Sequence, residues 1–356
     1  MIMVVFGVDP HKKTHTVVAV DEQGRQLQVR TVAATEEGHR GLLRWARRLG
    51  RERRWAVEDC RHVAGRLMRE LTGAGEQVVR VPPRLTGVMR ATARTRGKSD
   101  PIDALAVARA CLREPGLPVG GLDEQSLELR LLVERREQLV AWRTAEINRV
   151  RWHLVELDPE LETQAVLTSA RGLARALSEV AALPGSVRQQ ITLAQLAGIA
   201  EVSAAVVALG RQITALTAPL APALLAIVGV GPLTAAKLLG EIGGIDRFTR
   251  PAQLAAHSGI ACIPVWTGNR ERHRLNRGGN RQINAAVHRV AITQARMHPP
   301  AQALLTRRRT NHDTAKGALR VLKRHLIDVI FKAMKDDHAH RVPATATSQP
   351  PAAAAA

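Results

Sequence analysis

Four carboxylates near the start of the chain could together hold divalent metal ions. Asp9 lies in V-F-G-V-D-P-H-K and Glu58 in W-A-V-E-D-C, each at the end of a predicted strand. Asp100 and Asp103 lie in K-S-D-P-I-D-A-L-A, at the start of a predicted helix. Mg²⁺ prefers hard oxygen ligands in octahedral geometry, and two such ions can clamp the attacking and leaving oxygens of a phosphodiester. These residues therefore predict metal-assisted phosphodiester chemistry, with Mg²⁺ or Mn²⁺ as the cofactor.

Each carboxylate also has a structural interpretation. Asp9 precedes a proline and could simply start a turn, and Glu58 could be an edge charge with Asp59 as a rival. Asp100, the proline after it and Asp103 fit the N-cap, N1 and N3 positions of a helix. Considered singly, Asp100 and Asp103 fit capping better than metal binding. Considered together, at the ends of two strands and the start of a helix, the four carboxylates favour a metal site. Helix capping and metal ligation are compatible.

The first 115 residues carry the pattern of an α/β domain. Strands are predicted at Met3–Val8, Thr14–Val20, Gln26–Ala33, Arg54–Glu58 and Glu76–Val81. Helices are predicted at Thr35–Leu49, with Thr35 as the N-cap, and after the fourth strand to about Leu71. A meander of three strands followed by alternating helix and strand is the order of a ribonuclease-H-like fold of the RuvC type. In that fold the first and fourth strands are neighbours, so that their ends and the start of the last helix converge on one point.

The rest of the chain is predicted to be mainly helical. A linker at 116–121 leads into a charged helix from Glu124 to about Leu157. One face of this helix carries an apolar seam at steps of three and four or their sums, formed by Leu132, Leu139, Ile147, Val150 and Leu154. The seam fits core packing within one chain and a coiled coil between protomers about equally well.

Four segments follow from these patterns. They are a RuvC-like domain at 1–115, a helical, coiled-coil-like connector at 122–215, a mainly α C-terminal domain at 220–335, and a disordered tail at 336–356.

The composition points to a polyanionic partner. The chain has 52 Lys and Arg against 32 Asp and Glu, for a net charge of +20. The excess is nearly all arginine, whose planar fork of donors suits phosphate. The chain contains no tyrosine, which excludes recombinases that use a tyrosine nucleophile.

The same sequence argues for a cytoplasmic protein with no membrane partner. No apolar run approaches the roughly 20 residues of a membrane span, and the start lacks the pattern of a signal peptide. The isolated cysteines Cys60, Cys111 and Cys262 match neither a zinc site nor a disulfide framework.

Residues 224–243, L-L-A-I-V-G-V-G-P-L-T-A-A-K-L-L-G-E-I-G, resemble a helix-hairpin-helix element. In such an element the hairpin amides and the next helix N-terminus hold a backbone phosphate without reading base sequence. Gly229, Gly231 and Lys237 are the expected nucleic-acid contacts. A plain turn between two helices is the alternative interpretation.

A second basic segment, residues 263–284, carries five arginines within twelve positions. Glu271 alone opposes them, and Gly278-Gly279 predicts a loop rather than a regular helix. A solvated charge run would normally mix signs, so contact with phosphate or RNA is the better interpretation. The expected contacts are Arg270, Arg272, Arg274, Arg277 and Arg281.

At these motifs the chain resembles the insertion-sequence-one-ten family, the DEDD transposases described as bridge-RNA-guided recombinases. The motifs G-V-D-P-H-K, V-E-D-C and G-K-S-D-P-I-D-A-L-A-V-A-R-A resemble that family's DEDD domain. Residues 224–300 resemble its second transposase domain. The resemblance places the family's four acidic positions on Asp9, Glu58, Asp100 and Asp103.

The family's nucleophilic serine lies just before a glycine and a few residues after a proline. Here the slot after Pro264 holds Thr267, followed by Gly268, which is a departure from the family pattern. Threonine carries the same hydroxyl on a more hindered, β-branched carbon, so it would attack phosphorus more slowly, or the site could be impaired.

The resemblance also implies partners and an assembly. A structured guide RNA pairs with donor and target DNA, and a covalent protein–DNA intermediate precedes strand exchange and religation. The family acts as a homo-oligomer, here expected as a dimer or tetramer, in which the hydroxyl of one subunit completes the acidic site of another. The active enzyme is expected at the nucleoid.

Three functions remain in competition at this point. The first is RNA-guided recombination with Thr267 as the nucleophile, for which Ser258 is a rival hydroxyl. The second is a metal-dependent nuclease of the junction-resolving kind, which uses water and leaves Thr267 structural. The third is a catalytically impaired nucleic-acid-binding protein. A covalent protein–DNA adduct separates the first function from the second.

Overall fold

The computed structural model describes residues 3–58, 61–91, 99–114, 116–117, 124–164, 166–268 and 270–341. These residues form seven strands, which are β1 Val4–Pro10, β2 Thr14–Val20, β3 Gln26–Ala33, β4 Arg53–Glu58, β5 Gln77–Val81, β6 Ile263–Thr267 and β7 Arg270–Arg274. They also form helices α1 Glu36–Leu49, α2 Arg61–Gly73, α3 Pro83–Ala91, α4 Asp100–Arg113, α5 Glu124–Leu157, α6 Pro159–Gln164, α7 Ala170–Ala181, α8 Val187–Leu220, α9 Pro222–Leu225, α10 Pro232–Ile242, α11 Pro251–His257, α12 Arg281–Met297, α13 Pro299–Thr310 and α14 Ala315–Arg341.

The chain divides into two compact units, Met1–Asp123 and Glu124–Ala356. The first unit contains a five-stranded mixed sheet in the order β3-β2-β1-β4-β5. Strands β1, β2 and β3 form an antiparallel meander, and β4 and β5 continue the sheet parallel to β1. This topology confirms the expected RuvC-like, ribonuclease-H-like fold.

Strand β1 is buried at every position because helices cover both faces of the sheet. Phe6 points to one face, where it stacks on Trp55 with ring centroids 4.6 Å apart. Val5 points to the other face and packs with Val107 of α4. A central strand buried on both sides is expected to be continuously apolar, and V-V-F-G-V meets that requirement.

Gly7 lets helix α4 lie directly on β1. A Cβ atom at this position would lie 2.1 Å from the carbonyl oxygen of Ala104 and 2.5 Å from the amide nitrogen of Ala108. Both obstacles are backbone atoms of α4, so they cannot rotate away as a side chain could. The missing side chain therefore sets the distance between α4 and the end of β1.

The second unit is built around α5 and α8, two helices of 34 residues each. Leu129 and Val133 of α5 and Ile213 of α8 share one core with the C-terminal helices. The connector expected at 122–215 and the region at 220–335 thus share a core. Further along α5, the seam residues Ile147, Val150 and Leu154 pack in a second core with α7 and α8.

The packing of these three residues confirms the intrachain interpretation of the seam for that stretch of α5. Leu132 and Leu139 are half-buried, and Leu132 packs against the first of the two cores. A coiled coil between protomers stays a prediction.

The structure corrects the expected start of the disordered tail. Helix α14 continues to Arg341, and Asp337 is 2% exposed. The Asp337 carboxylate accepts hydrogen bonds from the amides of Ala223 at 2.7 Å and Leu224 at 3.1 Å, in the first turn of α9. These bonds tie Asp337 into the fold, because they satisfy amides that the short helix leaves without partners. Residues 342–356 lie outside the described residues.

Helix α8 departs from the expectation that no apolar run approaches the length of a membrane span. By length and composition alone it could cross a membrane, with a mean hydropathy of 1.7 over its most apolar window, of which 22% is buried within the protein. Glu201 and Arg211 are its only charged residues after Arg188. A single such helix is weak evidence, because core helices pass the same test.

We expect Gly7→Ala to destabilise the first unit by about 3 kcal/mol or more, because overpacking against movable side chains already costs about 1–3 kcal/mol. Chemical denaturation followed by circular dichroism measures the change. Gly87→Ala is the matched control, since a Cβ there meets nothing within 4 Å and Gly87 lies inside α3. The control should be neutral or stabilising by about 0.5–1 kcal/mol. Equal stability of the Gly7→Ala protein and the wild type would contradict the contact.

Candidate metal centre and nucleic-acid surface

Asp9 and Glu58 lie side by side at the carboxyl ends of two parallel strands. Val8 of β1 is paired with Val57 of β4, so the next residue on each strand lies at the same level of the sheet. Asp9 is 7% exposed and Glu58 is half-buried. The neighbouring ends of β1 and β4 thus supply two of the four predicted ligands.

Helix α4 supplies the other two carboxylates from its first turn. Asp103 is 9% exposed, whereas the side chain of Asp100 is 52% exposed. Both lie near Asp9, because the contact of α4 with β1 at Gly7 holds the start of the helix beside the end of the strand. The structure therefore brings together the four acidic residues predicted from the sequence.

The capping interpretation of Asp100 is wrong by one residue. Ser99 is the N-cap, with extended backbone angles of φ −155° and ψ 153°, and α4 begins at Asp100. Asp103 lies one residue beyond the N3 position that capping would give it. Both carboxylates still benefit from the positive end of the helix dipole. The rival Asp59 lies outside the described residues.

His11 joins the cluster and was not predicted from the sequence. Its Nε2 atom lies 3.2 Å from Oδ2 of Asp9 and 3.4 Å from Oδ1 of Asp100. One ligand atom from each of these three residues lies within 4.8 Å of the others, a spacing that a single metal ion could bridge. The signal available in the sequence is the motif D-P-H, which places the imidazole two residues after the buried aspartate.

Arg90 is a second residue of the cluster that was not predicted from the sequence. Its Nη1 atom donates to Oδ1 of Asp103 at 2.7 Å from helix α3. No sequence pattern points to Arg90, because the contact depends on how α3 packs against α4.

The carboxylates influence one another electrostatically. Burial raises the pKa of Asp9; His11 lowers it, and Asp103 and Asp100 raise it further. Burial likewise raises the pKa of Glu58, with the charge of Asp9 as the next cause. Like charges held this closely disfavour one another's ionisation, and a divalent cation would reverse that effect. The donor set of hard oxygens and the crowded charge both fit a divalent metal ion.

A buried histidine pair lies behind this end of the sheet. The rings of His15 and His39 stack with centroids 5.1 Å apart, and Nδ1 of His39 lies 2.8 Å from Oε2 of Glu70. Burial lowers the pKa of His15 to about 4, with His39 and His11 contributing further. His15 is 1% exposed, so its charged form is poorly solvated in the folded protein.

The predicted helix-hairpin-helix is present only in part, because its first helix is very short. Its first helix, α9, has four residues, and Gly229 in the turn packs against Thr293 of α12. Gly231 is the N-cap of α10. Lys237, an expected phosphate contact, is 5% exposed and forms an ion pair with Glu137 of α5. Its ammonium is therefore committed to the interior of this unit, because α5 packs against that face of α10.

The arginine-rich segment is a β-hairpin followed by a loop, rather than a loop throughout. Strands β6 and β7 pair antiparallel, with Thr267 opposite Arg270, and Gly268 follows β6 with a positive φ of 58°. The strand signal in I-P-V-W-T, followed by Gly-Asn, could have predicted this hairpin. The highly charged β7 hides it, because no apolar residue alternates along R-E-R-H-R.

The predicted site residues of this segment are placed as follows. Arg274 and Arg277 are exposed, and Arg281 is exposed at the first position of α12. The side chains of Thr267, Arg270 and Arg272 lie outside the described part of the structure.

Ser258, the rival hydroxyl, is fully buried and donates to the carbonyl oxygen of Ala255 at 3.0 Å. A buried hydroxyl committed to a helix end is poorly placed to attack DNA.

Comparison with known proteins gives two family matches. A DEDD-type model described as a transposase matches residues 6–159, and the model "Transposase IS116/IS110/IS902 family" matches residues 221–306. The uncharacterized 44.8 kDa protein of insertion element IS116 from Streptomyces clavuligerus is 28% identical, over 93% of this chain and 94% of that protein. The uncharacterized 42 kDa protein of insertion element IS900 from Mycobacterium paratuberculosis is 27% identical, over 96% of this chain and 98% of that protein.

Among solved structures, T. thermophilus RuvC in complex with a Holliday junction substrate is similar over 31% of this chain and 94% of that chain. The sequence identity is 19% and the TM-score is 0.25.

We expect a divalent metal to stabilise the wild-type protein and not the Asp9→Asn variant. Metal that binds only the folded state adds about 2.7 kcal/mol at a concentration one hundred times Kd. Without metal, Asp9→Asn should itself be slightly stabilising, because it removes a carboxylate whose pKa is raised by burial. Thermal unfolding with and without Mg²⁺ or Mn²⁺ measures both effects.

Asp59→Asn is the control for this experiment, and its stabilisation by metal should match that of the wild type. An equal metal-induced rise in Tm for wild type and Asp9→Asn would exclude Asp9 as a ligand.

Stability should also fall as the pH drops below about 6.5, through His15. In the unfolded state His15 takes up a proton near pH 6.5, whereas in the folded state it is protonated only near pH 4, its lowered pKa. The gap between these pKa values corresponds to roughly 3 kcal/mol, lost progressively between pH 6.5 and 4. His15→Phe keeps the ring and removes this loss, whereas His325→Gln, on an exposed histidine of α14, should keep it. Identical pH profiles for wild type and His15→Phe would show that His15 titrates normally.

Proposed function

Because the chain belongs to the IS116/IS110/IS902 family of transposases, we propose that it moves an insertion sequence by cutting and rejoining DNA under the guidance of a structured RNA. The observation that carries the proposal is the convergence of Asp9, Glu58, Asp100 and Asp103 at one end of a RuvC-like sheet. In a chain of net charge +20, such an acidic cluster needs a local function.

In this proposal the four carboxylates hold Mg²⁺ or Mn²⁺. Such ions, when bound, stabilise negative charge on the attacking and leaving oxygens of a phosphodiester. Asp9 and Glu58 offer oxygens from the rigid ends of β1 and β4. His11 orients Asp9 and Asp100, and Arg90 orients Asp103, through the contacts described above. Both side chains also lower the cost of holding four carboxylates together before metal binds.

The proposed nucleophile is the hydroxyl of Thr267. Its oxygen attacks a DNA phosphorus atom, a bond from threonine to phosphate forms, and one bond from phosphorus to a DNA oxygen breaks. The hydroxyl loses its proton, and the departing DNA oxygen gains one. Attack by another DNA hydroxyl on the same phosphorus then releases Thr267, so the number of phosphodiester bonds is conserved.

Four observations support Thr267. It ends β6 directly before Gly268, the slot of the family's serine, and it lies on a hairpin rich in arginines that could stabilise charge on the phosphate. The chain has no tyrosine. The competing Ser258 is buried. A hydroxyl at its normal pKa is a weak nucleophile, so Thr267 needs help from the metal site or a base.

The proposed partners are donor and target DNA, the guide RNA and further copies of this chain as a dimer or tetramer. The acidic cluster belongs to the first compact unit and Thr267 to the second, an arrangement compatible with a site shared between subunits. Helix α5 leaves Trp142 and Trp152 exposed, and such surfaces favour protein contact. We place the enzyme in the cytoplasm, at the nucleoid when active.

A metal-dependent nuclease that uses water is the second candidate. One observation favours it: all four carboxylates belong to the first unit, so that this unit alone supplies the predicted metal ligands.

We expect Thr267→Ala to abolish a covalent protein–DNA adduct, and Thr267→Ser to preserve or increase it, because serine carries the same hydroxyl on a less hindered carbon. Denaturing gels with labelled DNA measure the adduct. Ser258→Ala is the control and should retain it. An adduct that survives in Thr267→Ala but is lost in Ser258→Ala would show that Thr267 is the wrong nucleophile. Metal-dependent cleavage without an adduct in any variant would favour the nuclease.

A further inference from the structure

A cavity of about 430 Å³ lies within the second unit, between α14, the start of α12 and two loops. The loops are 259–262, after α11, and 275–277, after β7. Its walls carry four cationic side chains, which are Arg277, Arg281, Arg320 and Lys323. We propose that this cavity is a binding site for a phosphate of the nucleic-acid backbone. The proposal rests on the proposed function only in taking the phosphate from DNA or RNA.

The charge of the cavity is one-sided. None of the described residues that line it is an aspartate or glutamate. Arg277 and Arg281 come from the segment that the sequence already marked as basic, whereas Arg320 and Lys323 come from α14, far along the chain. Because these four cations converge without a carboxylate among the lining residues, an anion of matching size would be attracted to the cavity.

The cations affect one another's ionisation. Burial lowers the pKa of Lys323, and the charges of Arg281 and Arg320 lower it further. Burial also lowers the pKa of the adjacent His288, followed by the charge of Lys323. Like charges held together raise the free energy of the empty cavity, and a bound phosphate would relieve that repulsion.

Hydrogen bonds hold the walls of the cavity in place. Asn284 accepts a hydrogen bond from Nζ of Lys323 through its Oδ1 atom. The Nδ2 atom of Asn284 donates to the carbonyl oxygens of Ser258 at 3.1 Å and Gly259 at 3.3 Å. A single amide therefore links α14 to the loop after α11 and holds the lysine ammonium in place.

The loop after β7, which continues to Asn280, is also fixed against the loop after α11. Gly279 has φ +85°, and a Cβ atom on it would lie 2.5 Å from the amide nitrogen of Gly259. The backbones of the two loops thus approach as closely as glycine allows. A site in which both cations and walls are held before binding loses little entropy when an anion enters.

The chemistry of the walls suits a phosphodiester. Guanidinium groups donate paired hydrogen bonds that match the oxygens of phosphate, and a lysine ammonium adds a point charge. Arg281 is also the first residue of α12, where the helix dipole is positive. The volume lies within the range of about 300–1,000 Å³ for ligand pockets, enough to admit part of a nucleotide.

The first experiment compares two double variants that each remove two charges from α14. Arg320→Gln with Lys323→Gln empties one wall of the cavity, and Lys316→Gln with Lys332→Gln is the matched control, on exposed lysines outside it. Binding is measured with oligodeoxythymidylate and oligouridylate of equal length across a range of salt concentrations.

We expect the cavity variant to bind about tenfold or more weakly at low salt, with a salt slope smaller by about 0.7 for each phosphate that is no longer neutralised. The control should change far less in both quantities. Weaker binding of the DNA probe alone, or of the RNA probe alone, would support the site and identify its ligand. Equal weakening in the cavity and control variants would overturn it, because only overall charge would then matter.

Cys262 provides a readout that does not depend on activity. This exposed cysteine lines the cavity, so a bound strand should slow its alkylation, measured by mass spectrometry of its peptide. Protection should occur in the wild type and in Asp9→Asn, and should be absent in Arg320→Gln with Lys323→Gln. Unchanged alkylation at saturating oligonucleotide would overturn the site. Protection without cleavage or adduct in the wild type would instead contradict the proposed function and leave the phosphate site standing.

Discussion

The close contact between β1 and α4 at Gly7 is the constraint on which the acidic cluster depends. With no side chain at Gly7, the backbone of α4 lies against the strand, and the first turn of the helix lies beside the end of β1. The parallel pairing of β1 with β4 then sets Glu58 at the level of Asp9. Backbone packing thus brings together two carboxylates on strand ends and two on a helix, although their like charges repel one another.

Electrostatics explains why this convergence suits a bound cation. Burial and mutual repulsion raise the pKa of Asp9 and of Glu58, so the folded protein disfavours the ionised form of both carboxyl groups. His11 and Arg90 offset part of that cost. The second unit shows the opposite situation, because the cavity beside α14 gathers cations with no acidic residue among the described residues that line it. One unit is therefore suited to a metal ion, and the other to a phosphate.

Local patterns in the sequence predict β2, β3 and α5 at the bounds that the structure has, because strand alternation and helical periodicity are short-range signals. The four carboxylates are predictable because the strand order implies their meeting. His11 lies beside a predicted ligand and could have been found. Contacts between distant segments, such as Arg90 with Asp103 or Lys323 with Asn284, depend on helix packing, which no short pattern specifies. For the same reason Lys237, which looks like a phosphate contact, is instead paired in the interior.

Whether Asp9, Glu58, Asp100 and Asp103 form one metal site decides how the first unit works. Crystals grown with Mn²⁺ would answer this, since anomalous scattering locates the ion independently of activity. We predict one or two manganese peaks coordinated by oxygens of these four carboxylates, and no peak there in Asp9→Asn crystals. Manganese bound only elsewhere, with Arg90 still on Asp103 and no ion between β1 and α4, would contradict the metal site.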